Sequence, residues 1–486
     1  MTLLKFFLTA FLLLSIAKPV FAQRKYFFSN SETETNALSD GTRLHPFHDP
    51  ALVSTLQLKP GDTVFFHGGD SFNSTITLDG LNGKPGNPIV FASYAKGKAS
   101  IYAGNKEGFL ITLSKNISIA NLIIAGAGRK DGNTTDGVKL LNCRSVKIRD
   151  LEITGFQKSG LLLFNCKDVE ADRVIAMQNG LAGILVEGDY QKRLSQNIHI
   201  VNCRAENNPG DPTNLSNHSG NGILVGNCRN VLIEYCTATN NGWDMPRIGN
   251  GPVGIWAYEA DSVVIQHCIS YRNKTAKGAA DGGGFDLDGG VTNSVIQYCL
   301  SYENQGSGYG IFQYWSAGNW KNNTLRYCIS INDGKITEGA SGMYIWNGNN
   351  PDSSFINFYA HNNFFYNDAK YTFSFASESR HRNFHFYKNY FIASDTSEIY
   401  FGTDSSTTDV FLDNVWARRS GGFFQDGYSD LGQWARAMGY EIRNGKLAGT
   451  TLDKKIFVFP TNINITDPYR LRNEPLLKPI WKRLKN

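Results

Sequence analysis

The chain has 486 residues and a formal net charge of +5. So small a charge on so long a chain argues neither for nucleic acid nor strongly for another polyanion as the partner. Its 49 glycines, abundant asparagine and 13% aromatic residues exclude a mainly helical protein, because glycine and asparagine serve tight turns.

The N-terminus reads as a leader. Lys5, the apolar run from Phe6 to Ile16 and the small-residue end Val20-Phe21-Ala22 fit a cleavable signal peptide over residues 1–22. The run is too short to cross a bilayer. Cleavage would remove Lys5 and Lys18 and no acid, so a mature chain from Gln23 carries +3, from 5 − 2. The expectation is a secreted or periplasmic monomer without a membrane span. Residues 23–60 read as an irregular N-terminal cap. The turn Pro60-Gly61-Asp62 then leads into a strand at Thr63–Phe66, and Pro88-Ile89-Val90-Phe91 reads as another.

From 61 to 420 the chain repeats itself. Asn230–Cys236, Ser262–Cys268, Ser294–Cys299 and Asn323–Cys328 are short alternating strands that end in cysteine. The steps from Cys203 through Cys236, Cys268 and Cys299 to Cys328 are 33, 32, 31 and 29 residues, and Leu122, Leu151 and Val174 hold the same place earlier. Five positions after these cysteines stand Asn208, Asn241, Asn273, Asn304 and Asp333. A second column runs through Asn142-Cys143, Asn165-Cys166 and Asn227-Cys228. A coil of short strands cannot bury its inner face alone; stacking coils at about 4.8 Å pairs each strand with its equivalents. Like residues then lie on like, and the turn asparagines can form an amide ladder. The cysteines read as reduced, small apolar core residues. They show no CxxC spacing for a metal. Asp430–Met438 reads as a short amphipathic helix, and residues 421–486 as a segment capping the open end. The fold predicted is an all-β parallel solenoid of about ten coils.

The Pro60-Gly61-Asp62 turn, the strand Gly86-Asn87-Pro88-Ile89 and the Asn/Cys coils resemble secreted bacterial right-handed parallel β-helix proteins of the pectin-lyase-like superfamily. The resemblance covers nearly all of the chain after the leader. It implies a single-stranded right-handed β-helix. Members include pectate lyases, polygalacturonases, other carbohydrate-active enzymes and binding or surface proteins, so the resemblance leaves activity open.

A second strand in each coil begins with glycine: Gly222-Ile223-Leu224, Gly254-Ile255-Trp256, Gly284-Phe285-Asp286, Gly310-Ile311-Phe312 and Gly342-Met343-Tyr344. Side chains alternate faces along a strand. With Ile255, Phe285, Ile311 and Met343 inward, the outward pairs are Trp256 and Tyr258, Asp286 and Asp288, Phe312 and Tyr314, Tyr344 and Trp346. Carboxylates among flat rings suit sugars, and such a patch is not expected on an inert surface. The turn before this strand lengthens from 4 residues after Asn179 to 14, 13 and 11 after Asn208, Asn241 and Asn273. Long insertions on one edge of a solenoid build a binding wall. They bring Asp211, His218, Asp244, Arg247, Lys274, Lys277 and Asp281 to its rim. Asp286 and Asp288, two apart on one strand, have Cβ atoms about 7 Å apart, within the range of an inverting acid/base pair. Asp281 or Glu259 is an alternative partner for either.

Three functions fit these residues. A glycoside hydrolase would use Asp286, Asp288 and Asp281 as acid and base, with Trp256, Tyr258, Phe312, Tyr314, Tyr344, Trp346, Arg247, Asp244, His218 and Lys277 binding a polysaccharide or oligosaccharide. The paired aspartates and Gly-His-Gly of polygalacturonases are not found. A lyase is implied by the similarity of residues 281–310 to coils of calcium-dependent pectate lyases; calcium would then sit on Asp281, Asp286 and Asp288, with Lys277 or Arg247 as base. In those enzymes an aspartate pair follows the asparagine turn, whereas here Asn304 precedes Gln305-Gly306-Ser307. The third function is non-catalytic glycan binding.

Overall fold

The computed structural model describes residues 23–30, 39–368, 370–376, 380–402, 406, 408–453 and 463–485. The leader expected over 1–22 lies outside the described residues. Among those described, no helix is long and apolar enough to cross a membrane.

The repeating strands stack into sheets of 14, 13 and 12 strands, each pair parallel and each strand hydrogen-bonded to its equivalents one coil away. Among the described residues the shortest sheet therefore marks twelve complete coils, against the about ten expected. The extra coils lie where the cysteine and asparagine markers are absent, as at Thr63–His67 and Ile89–Tyr94. The segment before residue 60 is not all irregular: Lys25–Phe28 pairs with Thr63–Phe66 and opens the 14-stranded sheet. Inward positions form one continuous apolar core.

Three columns hold the coils in register. All eight cysteines are free and buried. The column that runs from Cys203 to Cys328 continues as Asn363, Asn389 and Asn414, whose amides bond each other at 3.0 Å and end on Glu441. The turn asparagines form the amide ladder: Asn208 to Asn241, Asn241 to Asn273 and Asn273 to Asn304 at 2.9 Å, then Asn304 to Asp333 at 2.8 Å. Glycine follows the ladder for a steric reason. A Cβ on Gly254 would stand 2.6 Å from the Asn273 amide, and one on Gly308 would stand 2.6 Å from the Asp333 carboxylate. At the corner before each cysteine the backbone is left-handed, at Tyr235, His267, Tyr298 and Tyr327. These rings stack coil on coil at 5.1–5.2 Å, which offsets a conformation that costs about 1 kcal/mol for a side chain.

The helix forms over Leu431–Met438, capped by Asp430, and sets Trp434 against Trp416 over the open end of the core. The tail was expected to pack on that end too. Instead Ile463, Leu477, Ile480 and Trp481 lie along the outer face of the 13-stranded sheet, against Ile269, Leu300, Ile329 and Phe364. Those strands carry apolar side chains outward, with Ser270, Ser301, Ser330 and Phe365 facing inward, and the tail covers the outer row.

Candidate active site

The outward face of the 12-stranded sheet carries the predicted side chains, with one correction of register. Trp256 pairs with Asp286, as expected, but Asp286 pairs with Gly310 and not with Phe312. Gly310 in turn pairs with Tyr344, and Phe312 with Trp346. The glycine that follows the ladder in this coil is Gly308, and Tyr309 fills the core position. Its hydroxyl donates toward the carbonyls of Cys299 and Ile329, both 3.0 Å away. The slip is two residues, so every side chain keeps its face while its neighbours change. Phe312 thus stands beside Asp288, Tyr314 lies past the strand end at Gln313, and a gap opens over Asp286. A Cβ on Gly310 would come within 3.0 Å of Asp286 Oδ1 and 2.7 Å of the Phe312 ring.

Loops on both edges of this sheet wall a cleft of about 870 Å³. One wall comes from the long turns after the asparagine ladder, with Asn217, His218, Asn250, Asp281 and Glu338; the other carries Tyr190, Tyr314 and Trp315. Asn250 donates to Asn217 at 2.7 Å, clasping neighbouring turns. The floor is Trp256, Tyr258, Asp286, Asp288, Phe312, Tyr344 and Trp346.

Four carboxyl groups line this space, Glu338 on the wall and three aspartates whose pKa values are raised. Asp286 points outward yet is only 2% exposed, and its Oδ1 is buried without a hydrogen-bond partner. Burial, then the nearby Asp288 and Asp281, push its pKa far above the carboxylate range, so it stays protonated. Asp288 is half-buried; burial pushes its pKa up to about 7, against a hydrogen bond from Gly289 N at 2.7 Å. Asp281, also half-buried, is pushed up to about 6 by burial, against a hydrogen bond from Gly251 N at 2.8 Å. Glu259 lies behind the wall, accepting from Tyr314 Oη at 2.9 Å and Gly318 N at 2.8 Å. Tyr258 donates to Glu187.

His218 also lines the cleft, edge-on to Trp256 at 4.9 Å. The remaining rim residues do not. Asp244 is paired with Arg129 and Lys130. Arg247 braces its own loop through Asn250 at 2.6 Å. Asp211 is fully buried against Lys158. Lys277 is exposed and Lys274 half-buried, and neither reaches the cleft lining. Among the described lining residues none is lysine or arginine. Nor do three of His, Cys, Asp or Glu come together for a metal ion among the described residues, so Asp281, Asp286 and Asp288 do not make the three-carboxylate calcium cluster. Sequence reasoning missed Tyr190, Trp315, Asn217, Asn250 and Glu338, and misassigned Gly310 as the glycine after the ladder. The first five sit in loops without repeat, and Gly308, two residues earlier, is the glycine that follows the ladder.

Residues 29–332 match the family described as Pel9A-like, right-handed β-helix region. The chain belongs to that family. The match spans the coils that carry the cleft floor up to Phe312. Among solved structures, the chain is similar to a GH136 lacto-N-biosidase from Eubacterium ramulus, with 16% identity and a TM-score of 0.50 over 80% of this chain and 67% of that one. It is also similar to pectate lyase Pel9A, with 16% identity and a TM-score of 0.41 over 69% and 76%. PfbA, a surface adhesin of Streptococcus pneumoniae, follows at 13% identity and 0.48 over 78% and 92%. Identities this low speak to the fold alone. No curated protein matches the sequence.

Proposed function

We propose that the protein is an exported glycoside hydrolase acting on an uncharged polysaccharide or oligosaccharide. The observation that carries this reading is a cleft with three carboxyl groups whose pKa values burial raises above the usual carboxylate range and no cation on its described lining. Elimination at a uronate needs a base beside a neutralised substrate carboxylate; here the described lining offers an acidic substrate no lysine or arginine. A neutral sugar suits the rings, whose faces stack on sugar C–H groups. Export rests on the leader-like residues 1–22.

Asp281 and Asp288 form the working pair, because both are half-exposed on the cleft lining while Asp286 is almost wholly buried. Between their pKa values, about 6 and about 7, one carboxyl is ionised and the other protonated. Asp288, the weaker acid, gives its proton to the glycosidic oxygen as the C–O bond breaks. Ionised Asp281 takes a proton from the attacking water, or attacks first and is then released by water. Burial and the neighbouring carboxyls raise the pKa of Asp286, which favours its neutral form on the floor.

The test is an assay of reducing ends and of ultraviolet-absorbing unsaturated sugars on a panel of plant, bacterial and host glycans. New reducing ends without unsaturated product are expected. Asp281→Asn and Asp288→Asn should each lower kcat about 10³-fold while leaving the fold intact. Activity of the unaltered enzyme should fall below about pH 6, as Asp281 takes a proton, and above about pH 7, as Asp288 loses one. Unsaturated products, or full activity in both variants, would refute the assignment.

A further inference from the structure

One group on the cleft wall has its proton placed by its surroundings. The Trp256 indole can only donate, and its Nε1 points to Asn221 Oδ1 at 3.0 Å. Val253 N donates to the same oxygen at 3.3 Å. Asn221 is fully buried, so its amide cannot turn over without opposing two donors. Its Nδ2 therefore faces the other way, donating to Leu181 O and to His218 Nδ1, each at 3.1 Å. His218 Nδ1 must accept, which leaves the ring proton on Nε2. No bond from Nε2 to the protein is found among the described residues, and the ring lines the cleft. The His218 carbonyl is tied by Asn214 Nδ2 at 3.1 Å and the ring rests edge-on against Trp256, so the donor is held in place.

We infer that His218 is a neutral Nε2–H donor that recognises an acceptor oxygen of the bound saccharide, and that Asn221, oriented by Trp256, is the residue that positions its proton. With Nδ1 engaged and Nε2 protonated, the ring has no free lone pair, so it is not the general base. Burial and then the nearby Arg247 guanidinium press its pKa down to about 4, which keeps the ring uncharged at working pH. The inference deepens the hydrolase reading and rests on it for the ligand. The proton placement stands on the protein alone.

Two measurements separate these layers. Long-range ¹H–¹⁵N correlation on the full chain, with His218 assigned by its loss in His218→Gln, should show Nε2 protonated and Nδ1 bare at neutral pH. Asn221→Asp cannot donate to Nδ1 and should move the proton there. Binding is then read by titrating the inactive Asp288→Asn protein with neutral di- to tetrasaccharides of glucose, galactose and N-acetylglucosamine. Adding His218→Phe or Asn221→Asp should weaken binding about tenfold, as expected for one lost hydrogen bond in a cleft. His218→Gln, which keeps an amide donor, should recover part of the loss. A proton on Nδ1 in the unaltered protein overturns the placement. Unchanged affinity in His218→Phe overturns the recognition while leaving the hydrolase reading standing. A correct tautomer with no binding by any of these sugars overturns the recognition and counts against the hydrolase reading as well.

Discussion

Asp286 shows how a single side chain can be placed correctly on its face and still lie in an unexpected environment. Alternation put it outward, beside Trp256, and there it is. The long turns after the ladder roof the floor, so the carboxyl sits in low dielectric beside two others and keeps its proton. An acid whose pKa is higher folded than unfolded lends stability below its unfolded value, near 4, and loses it as pH rises. Asparagine has the same shape and no such pH dependence. Asp286→Asn is therefore expected to match the unaltered protein below about pH 4 and to exceed it at neutral pH by on the order of 1 kcal/mol, as relief of a strained site commonly does. Urea melts at the two pH values check this; a variant equally stable or weaker at neutral pH would contradict it. His218 and Asp281 were legible as rim residues from loop length. Arg247, Asp244 and Lys277 were not separable from them, because an irregular loop has no period from which to read the direction of a side chain.

The ladder and the glycine column set the register of the strands. Asn273 accepts from Asn241 N and Nδ2 at 3.2 and 2.9 Å and donates to Ser270 Oγ and Asn304 Oδ1 at 2.9 Å. Asn273→Ala would leave several buried polar groups unpaired at once, costing about 2–4 kcal/mol. Equilibrium urea unfolding should show this loss; a cost below 1 kcal/mol would mean that the ladder is decoration. The ladder was legible because asparagine recurs five residues after Cys203, Cys236, Cys268 and Cys299, and aspartate five after Cys328. The strand that follows Asn304 was misjudged because glycine stands at both 308 and 310. A slip of two keeps the inward-outward pattern, so hydrophobic alternation cannot detect it. Only the pairing of Phe285 with Tyr309 decides which glycine follows the ladder.

In the whole molecule the cleft and the tail lie on different sheets. Trp481 is buried in the tail contact and donates to Leu471 O at 2.8 Å. Trp481→Ala should cost about 3–5 kcal/mol in that contact. Because coils interact mainly with their neighbours, the loss should stay local: the tail becomes protease-sensitive and an apolar dye binds the 13-stranded sheet, while kcat holds. A fall in kcat matching the tail's release would show that the two faces are coupled. The sequence by itself determined the solenoid, its stacking columns, its reduced cysteines and the sheet face that carries acids and rings, because each of these repeats with the coil and repetition is visible in one dimension. The tertiary structure alone decided the number of coils, the gap at Gly310, the closure of two loop walls over Asp286 and the path of the tail. Those depend on which coil lies beside which and on loops without period, and neither leaves a mark in the order of residues.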